Sequence, residues 1–322
     1  MHHKFPSDGT EYDLAGQFYA SPNYHQIQSR INCLVDIYIA DKKLSDRLQD
    51  LPGQFENPQP RPWKPIDWRA VQADQIVGVD PAVFVSILAG TIDTEAPIRG
   101  YTQTSRQYLE KLYPKMARFV GGVVNEQGSI VEIGLWEKEE RQHAPALLKV
   151  YTQLAGEKFI CHPHQARGYC PSLSPQADLY RHGLHRVATE YGATCLYTWL
   201  MAHSTGPLQA VLEELLKDEI NHMTKFWGFG MWAFPNSSVI RIIGTLGRAM
   251  KRKLADPTVQ GSLIHTLGRM KRVLNWPAWS LTNKTTFLFT FDQIMRRLWR
   301  WNTSLTPDYL NHLFGERRLS WK

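Results

Sequence analysis

The sequence predicts an all-α fold built around four long helices. Two observations carry that prediction. Apolar residues recur at helical spacing through four long stretches bounded by Pro, Gly, Asp and Ser stop and start signals, whereas strand-like alternation is weak throughout. A repeat of roughly 20–50 residues is absent as well, which removes solenoids and propellers.

Taken in order, residues 1–25 are polar with Gly and Pro and read as a loose arm. From Gln26 to about Leu48, the residues Ile27, Ile31, Leu34, Ile37, Leu44 and Leu48 recur at helical spacing. The segment Leu51 to Trp68 carries five prolines, so it is expected to wrap the surface without a regular helix. Asp80-Pro81 combines a capping side chain with a proline in the first turn, and the helical pattern runs on to about Leu112 with a kink at Pro97. A second long helix is expected to begin near Gly121 or after Gly128 and to continue to about Leu154, bent by Pro145. The third runs from about Pro175 to His203. Ser204-Thr205-Gly206-Pro207 makes a stop and a restart, and the fourth runs from Pro207 to about Phe234. The expected organisation is an N-terminal arm and helix (1–67), a helical core (68–235) and a basic, Trp-rich extension packed on it (236–322).

Composition narrows the class. The chain has 322 residues, enough for a large core. No apolar run approaches the roughly 18–20 residues of a membrane span, and Met1-His2-His3-Lys4 does not open a signal peptide. Cys33, Cys161, Cys170 and Cys195 are few for this length, so free thiols in a reducing compartment, cytoplasmic or like the plastid stroma, are expected. The net charge is +7. Between Arg241 and Arg300 twelve basic residues face two acidic ones, a local +10 that leaves −3 for the rest. A basic stretch of this kind fits an acidic partner, either a carrier protein or an anionic membrane surface. It also interleaves with aromatics, but no nucleic-acid-binding module accompanies it, so nucleic acid is disfavoured.

The chemistry sits in Trp136-Glu137-Lys138-Glu139-Glu140-Arg141-Gln142-His143. Glu140 and His143 are three residues apart and leave one face of a helix, so together they can hold a metal ion. A single Glu-x-x-His pair is common by chance. A second pair, Glu219 and His222, lies on the fourth expected helix. Glu95 and Glu190 stand in mostly uncharged stretches of the first and third. One Glu from each of two helices and a Glu-x-x-His from each of two others is the inventory of four-helix di-metal carboxylate proteins. The steps from Glu95 to Glu140, Glu190 and Glu219 are 45, 50 and 29 residues. A helix of 25–30 residues is about 40 Å long, so the short step fits antiparallel neighbours and the longer ones leave room for connections. Four carboxylates and two imidazoles make a hard, oxygen-rich site suited to two iron ions, or to manganese, rather than to structural zinc. Against this stands the plain alternative that these residues lie on solvated helix faces. Cys161-His162-Pro163-His164 with Cys170 reads as an ordinary loop rather than a zinc clip. The run Phe226 to Phe234 reads as core or dimer packing, with a cavity wall or membrane anchor as alternatives.

These residues resemble the soluble acyl-carrier-protein desaturases of the ferritin-like di-iron superfamily. Trp136, Glu139, Glu140 and His143 match that family's Trp-x-x-Glu-Glu-x-x-His motif, and Asp218, Glu219 and His222 match its Asp-Glu-x-x-His motif. Phe84-Val85 through Thr94-Glu95, Trp63-Lys64-Pro65-Ile66-Asp67 and Met250-Lys251-Arg252-Lys253 are similar to further family segments. The resemblance covers about residues 60–255. It implies a ferritin-like four-helix bundle with iron ligands Glu95, Glu140, His143, Glu190, Glu219 and His222. Trp63 and Asp218 would then support His143. The family places a Thr within a turn after the helix-three Glu; here Ala193 is third and Thr194 fourth, which makes Thr194 the candidate. Ala96 stands where the family often has another acid, and the chain beyond Lys253 has no counterpart.

The implied activity is dioxygen-dependent removal of hydrogens from an acyl chain, with an acidic acyl carrier protein and a ferredoxin-type electron donor as partners. A homodimer is compatible with it. The alternatives are a di-iron monooxygenase or oxidative cyclase on another hydrophobic substrate, and a ferroxidase or iron-binding protein.

Overall fold

The computed structural model describes residues 22–166, 168–237, 268, 270–271 and 273–315. The fold is all-α. Among the described residues the one sheet is a two-stranded hairpin.

Helix α1 (Tyr24–Tyr38) starts at Asn23, whose side chain accepts from the Gln26 N–H while the Gln26 side chain accepts from the Asn23 N–H. The single helix expected to Leu48 is two. Backbone at Ile39 and Ala40 leaves the helical region, which turns Ile39 fully into the core before α2 (Asp41–Gln49) begins. The proline-rich segment also opens with a short helix, α3 (Leu51–Glu56). Pro52 sits in its first turn, where a missing N–H costs nothing. From Pro58 to Ile66 the chain is an irregular strap.

Helix α4 (Pro81–Glu95) is capped by Asp80 through the Ala82 N–H at 2.8 Å. The expected kink at Pro97 is a full break before α5 (Ile98–Leu109). Pro97 has no N–H for the Asp93 carbonyl, and that carbonyl accepts from the His164 N–H instead, at 2.9 Å.

The stretch expected to start the second long helix differs most. It contains α6 (Pro114–Gly121), an antiparallel hairpin of β1 (Val123–Val124) and β2 (Ile130–Glu132), and only then helix. Gly122 and Gly128 both have φ of 76° and bracket β1 and its turn. Helix α7 (Leu135–Glu140) is separated from α8 (His143–Ala155) by Arg141 and Gln142. Pro145 explains where the break falls: it cannot donate to the Arg141 carbonyl four residues back, and its ring crowds that group. The disturbance therefore lies inside the Glu-x-x-His motif rather than beyond it. Arg141 and Gln142 keep right-handed helical dihedrals (φ −61°, ψ −15° and φ −82°, ψ −24°), so Glu140 and His143 still face the same way.

Helices α9 (Pro175–Ala202) and α10 (Gly206–Ala233) lie within a residue of their expected bounds and form the most extensive helix pair. Helix α4 lies along α8, α5 packs on α9, and α7 and α8 both touch α10. Helix α11 (Leu281–Asn302) covers α1 and α9, and α12 (Pro307–Phe314) covers the end of α10. A single hydrophobic cluster takes side chains from α1 through α12. Within the aromatic run, Phe226, Phe229, Trp232 and Phe234 are buried, and Trp232 stacks on Phe314 at 5.1 Å between ring centroids. No helix among the described residues is long and apolar enough to cross a membrane. Met250-Lys251-Arg252-Lys253 and most of the basic stretch lie outside the described residues.

Candidate metal centre

All six candidate ligands meet in the middle of the fold. They form two overlapping groups, Glu95, Glu140, His143 and Glu219, and Glu140, Glu190, Glu219 and His222. Within each group one ligand atom per residue lies within 4.8 Å of all the others, and either group could hold a metal ion. Glu140 and Glu219 belong to both.

Helix geometry sets these positions. Glu95 is the last residue of α4, where the unpaired carbonyls of a helix end already carry partial negative charge, so a carboxylate there favours a neighbouring cation. Glu140 closes α7 and His143 opens α8. Glu190 is mid-way along α9, and Glu219 and His222 share one face of α10. His143 Nδ1 lies 3.3 Å from Glu140 Oε2, 3.2 Å from Glu219 Oε1 and 4.0 Å from Glu95 Oε2. His222 Nδ1 lies 2.9 Å from Glu140 Oε1 and 3.8 Å from Glu190 Oε2.

Each imidazole is aimed by a carboxylate on its far side. His143 Nε2 is 3.4 Å from Asp218 Oδ2, and His222 Nε2 is 2.9 Å from Glu139 Oε2. An ionised carboxylate only accepts, so each ring carries a proton at Nε2 and turns Nδ1 toward the cluster, where the neutral ring would present a lone pair. Both Nδ1 atoms are buried without a hydrogen-bond partner. Buried polar atoms are rarely left unpaired. Two inward-facing imidazole nitrogens among four carboxylates are a donor set suited to a metal ion, so the residues present fit a metal.

The supporting carboxylates cross over. Asp218 precedes Glu219 on α10 and serves His143 on α8; Glu139 precedes Glu140 on α7 and serves His222 on α10. Arg61 ties both from the strap: its backbone N–H donates to Glu139 Oε1 at 3.0 Å and its Nε to Asp218 Oδ1 at 2.8 Å. The same guanidinium pairs with Glu214. Trp63 Nε1 donates to the other Asp218 oxygen at 2.8 Å, and its ring lies 6.2 Å from the His143 ring between centroids. Trp136 Nε1 donates to Glu140 Oε1 at 2.9 Å.

Electrostatics reflect the crowding of acids. Burial, reinforced by the Glu140 and Glu219 charges, pushes the Glu95 and Glu190 carboxyls well above their ordinary value. Burial and Glu140 also raise Glu219. Glu140 goes the other way: burial opposes its ionisation, but His143 and His222 outweigh burial and hold it well below. Burial disfavours both imidazolium forms, yet the surrounding carboxylates raise His143 and His222 well above their ordinary value. Protons thus take the place of cations, and a metal must displace them.

Three residues at the centre were not singled out as partners by sequence. Glu139 and Glu137 are both fully buried; Glu137 accepts from Thr102 Oγ1 at 2.6 Å and from Arg141. Tyr197 follows Glu190 by seven residues and Thr194 follows Glu190 by four, so all three share one face of α9. Both hydroxyls are buried and without a hydrogen-bond partner. Burial and the charges of Glu95, Glu219 and Glu140 keep the Tyr197 phenol protonated. The available signal was repetition: an acid stands directly before the Glu of each Glu-x-x-His pair.

One turn from the ligands, an apolar cavity of about 120 Å³ opens between α5, α9 and α10. Leu109, Leu179, Val187, Phe226 and Phe229 line it, together with Arg186. Val187 is three residues before Glu190 and Phe226 four after His222. The Arg186 guanidinium lies over the Trp136 and Tyr101 rings, 5.6 Å from each centroid, and its Nε is buried and unpartnered. Cys161, His162, His164 and Cys170 lie in the loop after α8 and, among the described residues, assemble no group of three potential ligands.

No protein-family model, curated protein or solved structure matches the chain.

Proposed function

We propose that this chain is a dioxygen-dependent di-iron oxidoreductase with a ferritin-like four-helix core, acting as an acyl-carrier-protein desaturase does to remove hydrogens from an acyl chain. The observation that carries the reading is the pair of ligand groups sharing Glu140 and Glu219, each completed by an imidazole whose inward nitrogen has no other partner. When bound, two iron ions (or manganese in their place) supply the electrons for dioxygen and the oxidising power to break an unactivated C–H bond. The protein's own residues do the rest. Glu140 and Glu219 hold the two positions together, Glu95 and His143 complete one, and Glu190 and His222 complete the other. Asp218 and Glu139 fix the tautomer of each imidazole, which sets the direction of its lone pair. Thr194 and Tyr197 offer hydroxyl protons on the Glu190 face of α9. The apolar cavity one turn away gives a hydrophobic chain a water-poor berth next to the centre, and this favours an organic substrate over ferroxidation. Trp63, half-buried in the strap and bonded to Asp218, offers a route by which a ferredoxin-type donor delivers electrons to His143.

Protein prepared without oxygen should carry about two iron ions per chain. With a ferredoxin reducing system and acyl groups on an acidic carrier protein it should release an altered acyl product. Oxidation of Fe²⁺ with no lipid product would reassign the chain as a ferroxidase, and a hydroxylated product would reassign it as a monooxygenase.

A further inference from the structure

Helix α11 buries Phe287, Ile294, Leu298 and Trp301 against the rest of the fold. Its opposite face holds large apolar side chains in solvent: Leu281 is 78 %, Leu288 57 % and Trp299 59 % exposed, while Phe291, 38 % exposed, lies on the flank with its ring against Tyr191 of α9. At 3.6 residues per turn, positions 281, 288 and 299 fall within about 20° of one line along the helix. Scattered exposed apolar residues are ordinary. Here four of the nine large ones exposed among the described residues stand on one helix, so scatter does not account for them.

The helix that carries this ridge is net basic. Helix α11 carries Lys284, Arg296, Arg297 and Arg300 against Asp292 alone. The Arg296 side chain, 71 % exposed, pairs with Asp292 along the outer face, and Arg297 pairs with Asp36 of α1. A second copy packed on the same face by a two-fold axis would set these like charges against each other. The partner is therefore anionic. It is also apolar beneath its charge, because the ridge presents separate Leu and Trp side chains rather than a groove. An anionic lipid bilayer combines both properties: aromatic and aliphatic side chains enter the headgroup boundary while Arg and Lys stay among the phosphates.

We propose that the outer face of α11, along Leu281, Leu288 and Trp299, docks the protein on an anionic membrane surface. This placement is independent of what the metal centre does. The full chain should sediment with vesicles of phosphatidylglycerol and phosphatidylcholine and should bind pure phosphatidylcholine vesicles far more weakly. Tryptophan emission should shift to the blue on binding. A chain with Leu288→Glu and Trp299→Glu should lose about tenfold or more in vesicle partitioning, with circular dichroism and oligomeric mass unchanged. If the charged pair reduces helix content, Leu288→Ser with Trp299→Ser carries the same expectation. No sedimentation with the anionic vesicles, or sedimentation that the substitutions leave unchanged, overturns the proposal. A wild-type dimer that the same substitutions convert to a monomer overturns it in favour of a second copy of the chain.

Discussion

At the scale of single residues, the two ligand groups make the six side chains unequal. Glu140 and Glu219 are shared, whereas Glu95 and Glu190 each belong to one group. Glu140→Ala or Glu219→Ala should therefore abolish both metals, while Glu95→Ala or Glu190→Ala should leave about one per chain; metal analysis of anaerobically loaded protein distinguishes them. Equal loss in all four variants would remove the distinction between the shared and the unshared carboxylates. Arg61 has a different kind of influence. Its guanidinium pairs with Asp218 and Glu214, both buried, and its backbone N–H holds Glu139. Arg61→Ala removes the side-chain half of that clamp and leaves two buried carboxylates short of a partner. Supporting residues of this kind are worth roughly 10–100-fold in metal affinity, so the variant's affinity for Fe²⁺ or Mn²⁺ should fall by about that factor. A titration matching wild type would remove Arg61 from the site.

At the scale of elements, the ends of α9 and α10 were legible because Pro175, Gly206 and Pro235 are unambiguous punctuation around long runs. The order and spacing of the ligands were legible for the same reason. What escaped was local. The hairpin at 123–132 rests on four β-branched residues around Gly122 and Gly128, too short a pattern to outweigh the helical periodicity on either side. Its geometry is nevertheless strict: a Cβ on Gly122 would stand 1.8 Å from the Glu132 carbonyl oxygen, at a φ of +76°. Gly122→Ala should destabilise the fold by about 1–3 kcal/mol from backbone strain alone, and more from the clash, read by denaturant unfolding. The reach of Glu139 across to His222 on α10 escaped because it is tertiary, and the matching contact of Asp218 with His143 was implied only by the family resemblance. The joint between α9 and α10 holds a further group no pattern marked. His203 donates from Nδ1 to the Val77 carbonyl at 2.9 Å, and its Nε2 is buried and unpartnered. Burial, helped by the charge of Arg30, pulls its pKa from 6.5 down to about 4 despite the Val77 bond. Below pH 6.5 the unfolded chain takes up a proton that the folded chain refuses until about pH 4, so stability from this group is complete above 6.5 and is lost as pH falls. Wild type should lose about 3 kcal/mol more over that interval than a His203→Gln chain, which keeps a donor for Val77. Parallel losses in the two chains would refute this.

For the molecule as a whole, the centre concentrates negative charge that the fold only partly answers. Glu95, Glu140, Glu190 and Glu219 converge there, with Glu139, Asp218 and Glu214 directly behind them. Arg61 answers two of these, and Lys225, fully buried beneath Gln54, has its own charge weakened as burial pulls its pKa to about 8. Without cations the remaining excess is met by protons on His143, His222, Glu95 and Glu190, groups that a hydrophobic core would otherwise keep out. Metal binding replaces those protons in the folded state, and the unfolded chain has no assembled site to compete. Loading should therefore stabilise the fold by mass action, by about 2.7 kcal/mol for each site held at a hundred times its dissociation constant. Thermal unfolding with Fe²⁺ or Mn²⁺, anaerobically and then with a chelator, should show the midpoint fall on metal removal. The Glu140→Ala and Glu219→Ala chains serve as the control, because chelator should leave their midpoints where they were. A wild-type midpoint equally indifferent to chelator would mean that the buried acids are held by the fold alone, and that the unpartnered nitrogens of His143 and His222 face no metal.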